Sequence, residues 1–497
     1  TNNVFADDEL IIFTASTTGQ GDVPNNMKLF WKFLLRRDLS KSCLSALRFT
    51  TFGLGDSSYP NYNTVARKLH QRLLDLGAHK IHERGLGDDQ HDIGYDAAFI
   101  PWLHSLSETL QAMFGIPDGV QIIPKNTLIP SKYRIKYHSH NHQHPAPQEQ
   151  QQETVHQHQY FAPLLKHVRL TPMDHWQDVR HLTFDITDSA LQYKPGDVLL
   201  LYPLNPVEEV EKLCQLLHIE NAKNTYISIQ YNEQTENSDN AQRFNICKNL
   251  SDDLIGIIPA RLTIFELFSK YLDICGNPRR TFFERLIHFT QDEQHKSKLI
   301  EFCENTSEAQ LALYEYNQSE ARTFIEVLQD FHSCKVPLDH LLSLIPKLKP
   351  RKFSISSAME YYYDDQNCVD NGIPLSHPND GNKPRKLVEI TVALVDYETP
   401  LKRKRKGLCS RYIATFPCTP TTVDDDEEEE EEMKNAEKED DVTASHEVSG
   451  MHIWIEKGSF RLKEDWLSSH VLMIGPGTGI APFRSMCQYR YWLMNTA

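Results

Sequence analysis

Arg351-Lys352-Phe353-Ser354-Ile355-Ser356-Ser357 places a fixed cation, an aromatic ring and a run of small hydroxyls along one alternating stretch. The alternation predicts a strand. Arg351 offers a planar fork of donors that suits a diphosphate, Phe353 offers a ring face for stacking, and Ser354 is a small donor that lets a flat cofactor come close. An ordinary half-buried strand after the Lys349-Pro350 turn would alternate in the same way, so two stretches nearer the C-terminus decide the reading. Gly407-Leu408-Cys409-Ser410 puts small residues where backbone can approach a pyrophosphate. Gly475-Pro476-Gly477-Thr478-Gly479-Ile480-Ala481-Pro482-Phe483-Arg484 reads as a turn between a strand, expected over Ser468 to Ile474, and a helix over Ala481 to Leu493. Backbone N–H groups at such a helix start can meet a phosphate.

In this order the three stretches resemble the ferredoxin-reductase-like module of the diflavin reductases. There, Arg-x-(Tyr/Phe)-Ser and Gly-x-(Cys/Ala)-(Ser/Thr) serve FAD, and Gly-Pro-Gly-Thr-Gly serves NADPH. The resemblance implies FAD on Arg351, Lys352, Phe353, Ser354, Gly407, Leu408, Cys409 and Ser410, with Ser354 the catalytic side chain. It implies NADPH at Gly477, Thr478 and Gly479.

The first hundred residues alternate strands with helices and read as doubly wound α/β. Leu10-Ile11-Ile12-Phe13 leads into Thr14-Ala15-Ser16-Thr17-Thr18-Gly19-Gln20-Gly21-Asp22, and Leu47 to Phe52 leads into Gly53-Leu54-Gly55-Asp56-Ser57-Ser58-Tyr59-Pro60-Asn61-Tyr62-Asn63. Gly85-Leu86-Gly87-Asp88-Asp89 ends a third strand. Loops at strand C-termini are where open α/β sheets bind ligands. This part resembles the flavodoxin-like FMN domain of the same family. Carried over by position, FMN falls to Ser16, Thr17, Thr18, Gly19, Leu54, Gly55, Asp56, Ser57, Ser58, Tyr59, Pro60, Asn61, Tyr62, Asn63 and Asp89. Tyr59 is the expected stacking ring. Threonines occupy the first loop where P450 reductases carry a second stacking Tyr, so one aromatic face for FMN is expected.

The whole chain of 497 residues is too long for one core. The fold expected is multidomain: a flavodoxin-like α/β domain over 1–116 lacking its N-terminal part, then a low-complexity linker over 117–160 containing the His138 to His144 tract. An antiparallel β-barrel FAD domain comes next over 161–467, with a helical connecting insertion at about 206–346 and an acidic loop at 424–441. Residues 468–497 are expected to begin an α/β NADPH domain whose remainder is missing. Within the insertion, Ala321-Arg322 stands where P450 reductases carry paired arginines.

The formal net charge is −16, of which Asp424 to Asp441 contributes −11, so little is left to oppose or favour nucleic acid elsewhere, and none is expected as a partner. Lys402-Arg403-Lys404-Arg405-Lys406 reads as a solvated turn, a nuclear-import-like patch or a docking surface for an acidic partner. No run of about twenty apolar residues marks a membrane segment, and ten cysteines without metal spacing predict reduced thiols, no metal site and a cytoplasmic setting.

Within the family, Ser16-Thr17-Thr18-Gly19-Gln20-Gly21-Asp22-Val23-Pro24, Gly87-Asp88-Asp89-Gln90-His91, His175-Trp176-Gln177-Asp178-Val179-Arg180 and Gly407 to Ser410 are similar to the NADPH-dependent diflavin oxidoreductases of cytosolic iron–sulfur protein assembly. That similarity implies electron flow from NADPH through FAD and FMN to an anamorsin-like iron–sulfur protein. A P450-reductase-like enzyme and a flavin-less scaffold relative are the alternatives.

Overall fold

The computed structural model describes residues 10–18, 21–91, 93–116, 124, 127–138, 159–232, 254–371, 385–419, 449–458, 460, 466 and 469–496. The chain divides into two compact units, residues 1–128 with 301–315, and residues 129–300 with 316–497. Gly19, residues 139–144 of the histidine tract and the acidic run 424–441 lie outside the described residues.

In the first unit, β1 (Leu10–Ser16), α1 (Lys28–Leu34), β2 (Arg48–Gly55), α2 (Thr64–Asp75), β3 (His79–Lys80), β4 (Gly85–Asp88) and α3 (Asp96–Phe114) alternate. β2 is central: β1 pairs with it in parallel along its whole length, and on its other side β3 pairs with its start and β4 with its end. A parallel strand covered on both faces must be apolar or fully satisfied. β2 combines the two, burying Phe49 and Phe52 beside Thr50 and Thr51. The Thr50 hydroxyl donates to the His82 carbonyl at 3.2 Å, and that of Thr51 bonds the His70 ring at 2.8 Å. α2 covers this strand with Val65, Ala66, Leu69, His70 and Leu73, a spacing that keeps one helical face inward.

The second unit carries β5 (Tyr133–His138), β6 (Tyr160–Arg169), β7 (Val179–Asp185), β8 (Val198–Leu201), α4 (Val207–Leu216), β9 (Tyr226–Tyr231), β10 (Leu262–Thr263), β11 (Arg351–Ser354), β12 (Leu387–Ala393), β13 (Asp396–Glu398), β14 (Lys404–Lys406) and β15 (Gly450–Glu456). Six of these strands form one antiparallel sheet in the order β11-β8-β15-β6-β7-β12. Its two edge strands approach each other just past β11, where Ile355 bridges Ile390 and the Ser356 N–H reaches the Glu389 carbonyl at 2.8 Å. Leu182, Phe184, Leu199, Leu201, Val388, Ile390, Met451 and Ile453 fill the inner face, joined by Cys409 and Ile413 of the Leu408–Ala414 helix. Among the described residues no helix is long and apolar enough to cross a membrane.

Three expectations are corrected. Tyr133–His138, assigned from sequence to the linker, is a strand in a second sheet of order β10-β9-β5, and its Tyr133 is buried. The neighbouring histidine and glutamine tract diluted its short Tyr-x-Ile-x-Tyr alternation. Residues 469–476 form no strand, because no described segment supplies them with a ladder partner. The basic run is neither a turn nor wholly solvated. Its last three residues are β14, paired with β13, and side chains alternate across a strand.

That alternation turns Arg405 inward, and Arg403, just before the strand, leans to the same side. Arg405 ion-pairs with Glu326 at 2.8 Å and donates to the Glu320 carbonyl, and Arg403 lies 3.8 Å from Glu320. Buried Glu320 also accepts from the Thr399 hydroxyl at 2.6 Å and the Leu401 N–H at 3.1 Å. Lys402, Lys404 and Lys406 stay exposed. Stranding a buried donor costs about 1–3 kcal/mol, so Glu320→Ala should lower the stability of this unit by about 3 kcal/mol in urea unfolding. Lys404→Ala should change it by no more than about 0.5 kcal/mol. Equal effects would return the run to a solvated loop.

Candidate functional site

Parallel register brings the ends of β1, β2 and β4 to one edge of the first unit, and a cavity of about 740 Å³ opens there. Thr14, Thr17, Phe52, Leu54, Gly55, Asp56, Tyr59, Asn61, Tyr62, Asp89, Tyr95 and Phe99 line it. Eight of these were picked from sequence. Thr14, Phe52, Tyr95 and Phe99 were not: Thr14 and Phe52 lie in β1 and β2, Tyr95 caps α3 and Phe99 lies in its first turn.

The loop residues are held by their own backbone. Thr17 N–H donates to the Leu54 carbonyl at 3.2 Å, while its hydroxyl accepts from Val65 N–H at 3.3 Å at the start of α2. Thr18 closes a turn on the Asp22 carbonyl, and Asp89 N–H reaches the Gly55 carbonyl at 2.9 Å. Ser57 N–H caps Asp88 at 2.9 Å. The Ser58 hydroxyl and N–H both bond Asp56, holding that exposed carboxyl below its usual range. Ser16 ends β1, paired with Leu54. Neither Ser16, Thr18, Ser57, Ser58 nor Pro60 lines the cavity.

Asn63 lies behind it. Fully buried and left-handed at φ 52°, it donates from Nδ2 to the Gly87 carbonyl at 2.8 Å. A Cβ on Gly55 would lie 2.8 Å from the Asn63 amide carbon, so the close approach of loop and strand requires glycine there. Gly87 makes the same allowance for Tyr95, whose Cβ would sit 2.8 Å from a Cβ at that position. Tyr59, 62 % exposed, rises from the loop after β2, whereas Tyr95 rises from the segment after β4. Tyrosines thus border the opening from two loops, Tyr59 and Tyr62 from one and Tyr95 from the other. Flat walls, hydroxyl and amide donors and carboxylate acceptors suit an isoalloxazine ring with its ribityl chain.

In the second unit, β11 carries Arg351, Lys352, Phe353 and Ser354 opposite Leu201, Leu200, Leu199 and Val198. Lys352 and Ser354 face solvent, and Lys352 pairs with Glu456. The Arg351 guanidinium donates to the Lys349 carbonyl at 2.7 Å. Its charge also bears on Cys409 of the Gly407 segment. Burial nevertheless pushes the Cys409 thiol up to about 12, which keeps it protonated and packed rather than nucleophilic.

Gly407 starts the Leu408–Ala414 helix, where N–H groups lack helical acceptors. The Ser410 hydroxyl accepts from Val395 N–H at 2.8 Å, so it braces the turn. Beside it lies a second cavity of about 610 Å³, with Arg169, Arg180, Lys406 and Arg411 set against Asp178 and Asp396. Arg322 lies elsewhere, held by Asp330 at 2.8 Å and stacked on Tyr316. Gly477, Thr478 and Gly479 form a single tight turn that opens the Ala481–Thr496 helix, with Gly477 at φ 55°.

Comparison with known proteins bears on both units. Residues 3–102 match the flavodoxin family, and residues 152–367 match the FAD binding domain family. A Xenopus laevis protein named NADPH-dependent diflavin oxidoreductase 1 is 35% identical over 97% of this chain and 71% of its own length. Proteins of the same name from Danio rerio and Arabidopsis thaliana are 35% and 34% identical, over 71% and 70% of their lengths.

If both rings contact FMN, each contributes about 1 kcal/mol beyond simple burial. Tyr59→Ala and Tyr95→Ala should therefore each weaken FMN roughly five-fold or more while FAD stays at full occupancy. Flavin release on titration of the purified variants measures both, and loss of FAD before FMN would show the rings to be packing elements only.

Proposed function

This chain belongs to the NADPH-dependent diflavin oxidoreductases, enzymes that use FAD, FMN and NADPH, and from that premise we propose that it delivers electrons to an anamorsin-like iron–sulfur protein in cytoplasmic iron–sulfur cluster assembly. The observation that carries the reading furthest is the cavity at the ends of β1, β2 and β4, whose aromatic and hydroxyl lining fits FMN. In this family NADPH supplies hydride to FAD, and FMN hands single electrons onward; the protein's part is to hold and tune each flavin.

On this reading Thr17, Asn61 and Asp89 meet the polar side of FMN, and Tyr59 and Tyr95 border its ring. Arg351 meets the FAD diphosphate with the N-terminal turn of the Leu408–Ala414 helix, Phe353 stacks on the flavin ring, and Ser354 stands at its reacting edge. The six-stranded sheet acts as a barrel, its edges drawn together at Ile355 and Ile390. Gly477 to Gly479 receive the NADPH diphosphate at the start of an α/β nucleotide domain. The exposed lysines of the β13–β14 hairpin offer one positive edge to an acidic protein, consistent with a partner chosen by charge.

A charged hydrogen bond contributes about 1.5–3 kcal/mol, enough for a single arginine to decide retention of FAD. Full-length Arg351→Ala should release FAD on gel filtration while FMN remains bound. Reduction of a purified anamorsin-like protein by NADPH should proceed with the wild type and fail with the variant. Both flavins retained at wild-type stoichiometry in the variant would remove Arg351 from the site.

A further inference from the structure

The segment that continues the Arg351 strand is held from two sides. From the sheet, Ser356 N–H donates to the Glu389 carbonyl at 2.8 Å, and the Ser357 hydroxyl accepts from Glu389 N–H at 2.9 Å. From the Ala481–Thr496 helix, Arg484 donates to the Ser356 carbonyl at 2.8 Å. Ser485 donates to the Ser357 carbonyl, and Gln488 accepts from Ala358 N–H at 2.9 Å. Three successive residues of one segment are thus matched by positions 484, 485 and 488, which lie on one side of a helix.

An ion pair between buried Glu389 and the one-third-exposed Arg484 holds this seam. Glu389, on β12, is 1% exposed, and its carboxylate takes the Arg484 guanidinium on one oxygen. The other oxygen accepts from His181 and Thr183, each at 3.1 Å. Apolar side chains could hold helix to sheet at no cost in desolvation, whereas a carboxylate buried in this seam offsets that cost only while its hydrogen bonds keep good geometry. The seam therefore sets register. Ser354 stands two residues before Ser356, and Gly479 five residues before Arg484, so the strand that faces FAD and the turn that faces NADPH are both short extensions of one rigid contact.

We propose that Arg484, through Glu389 and the Ser356–Ala358 backbone, is a positioning residue for hydride transfer, fixing where the nucleotide-binding turn stands relative to Ser354. The inference rests on assigning Phe353 and Ser354 to FAD and Gly477 to Gly479 to NADPH. In the step concerned, the C4–H bond of the nicotinamide breaks with both electrons and an N5–H bond forms on the flavin. NADPH leaves as NADP⁺, and the flavin takes up two electrons and one proton. Transfer of this kind is steep in distance, and a displacement of about 1 Å can slow a reaction roughly 100-fold. Arg484 touches neither reacting atom, so its effect must appear in rate rather than in affinity.

The test uses full-length Arg484→Met, Arg484→Lys and Glu389→Gln. All three should keep both flavins and bind NADP⁺ within about three-fold of wild type by calorimetry, since no nucleotide contact is removed. Stopped-flow reduction of FAD at saturating NADPH should slow at least ten-fold in Arg484→Met, with a larger isotope effect from C4-deuterated NADPH. Arg484→Lys should recover part of the rate, and Glu389→Gln should lose part of it. Amide exchange across residues 355–358 should rise in Arg484→Met without cofactor present, while exchange in β6 and β7 stays unchanged.

An unchanged reduction rate beside faster exchange would overturn the proposal and leave the seam purely structural. Affinity for NADP⁺ falling in step with the rate would also overturn it, by making Arg484 a nucleotide ligand. If Arg484→Met does not fold, the rates of Arg484→Lys and Glu389→Gln decide by the same criteria. Wild-type protein that carried no FAD at all would instead overturn the cofactor assignment, a separate outcome.

Discussion

The carboxylate of Glu389 is the constraint on which the second unit turns. Burial alone would drive it toward its neutral form, yet the His181 and Arg484 donors hold it at about 2. It is thus a charge at neutral pH in a place where an unpaired charge could not persist. Its backbone N–H and carbonyl meet Ser357 and Ser356, and its side chain meets β7 and the Ala481–Thr496 helix. One residue therefore joins both edges of the six-stranded sheet to the element after the glycine turn. Tyr193 closes the same network from below, its hydroxyl shared between Ser357 at 2.7 Å and the Leu387 carbonyl at 2.6 Å.

The first unit solves a different problem with the opposite chemistry. Its cavity has to sit where three parallel strands end, and the space there is created by leaving side chains out. Glycines at 53, 55 and 87 let Asn63 and Tyr95 pack directly against the strand ends. Asn63, in turn, holds the β4 end through the Gly87 carbonyl from a left-handed conformation that asparagine tolerates better than most residues. What looks in sequence like a ring-binding loop is therefore two layers. Tyr59, Asn61 and Tyr62 face the opening, and Asn63 builds the floor behind them.

The readable features were those in which local chemistry and periodicity agree. β1, β2, β4, β11 and the helix after Gly479 all fall where apolar runs and turn residues place them, and the two flavin-module families match the stretches that hold the four strands. What stayed hidden depends on partners far away in the chain. Glu389 lies in a mostly apolar strand and gives no sign that Arg484, 95 residues later, will meet it. Tyr95 is an unremarkable helix start until Gly87 brings it to the cavity. The basic run looks solvated by charge alone, whereas in the fold Arg403 and Arg405 meet Glu320 and Glu326.

Gly407 to Ser410 reads in sequence as a set of small residues near a diphosphate, yet its serine hydroxyl is occupied by Val395 N–H and its cysteine belongs to the core under the sheet. The side chains of the motif thus serve the turn. If the segment meets a phosphate, it must do so with the backbone N–H groups that the turn presents, and with Arg351 from the neighbouring strand. Such a division of labour explains why the motif specifies residue size rather than residue charge. Small side chains shape the backbone of the turn, and Arg351 stands on a different strand.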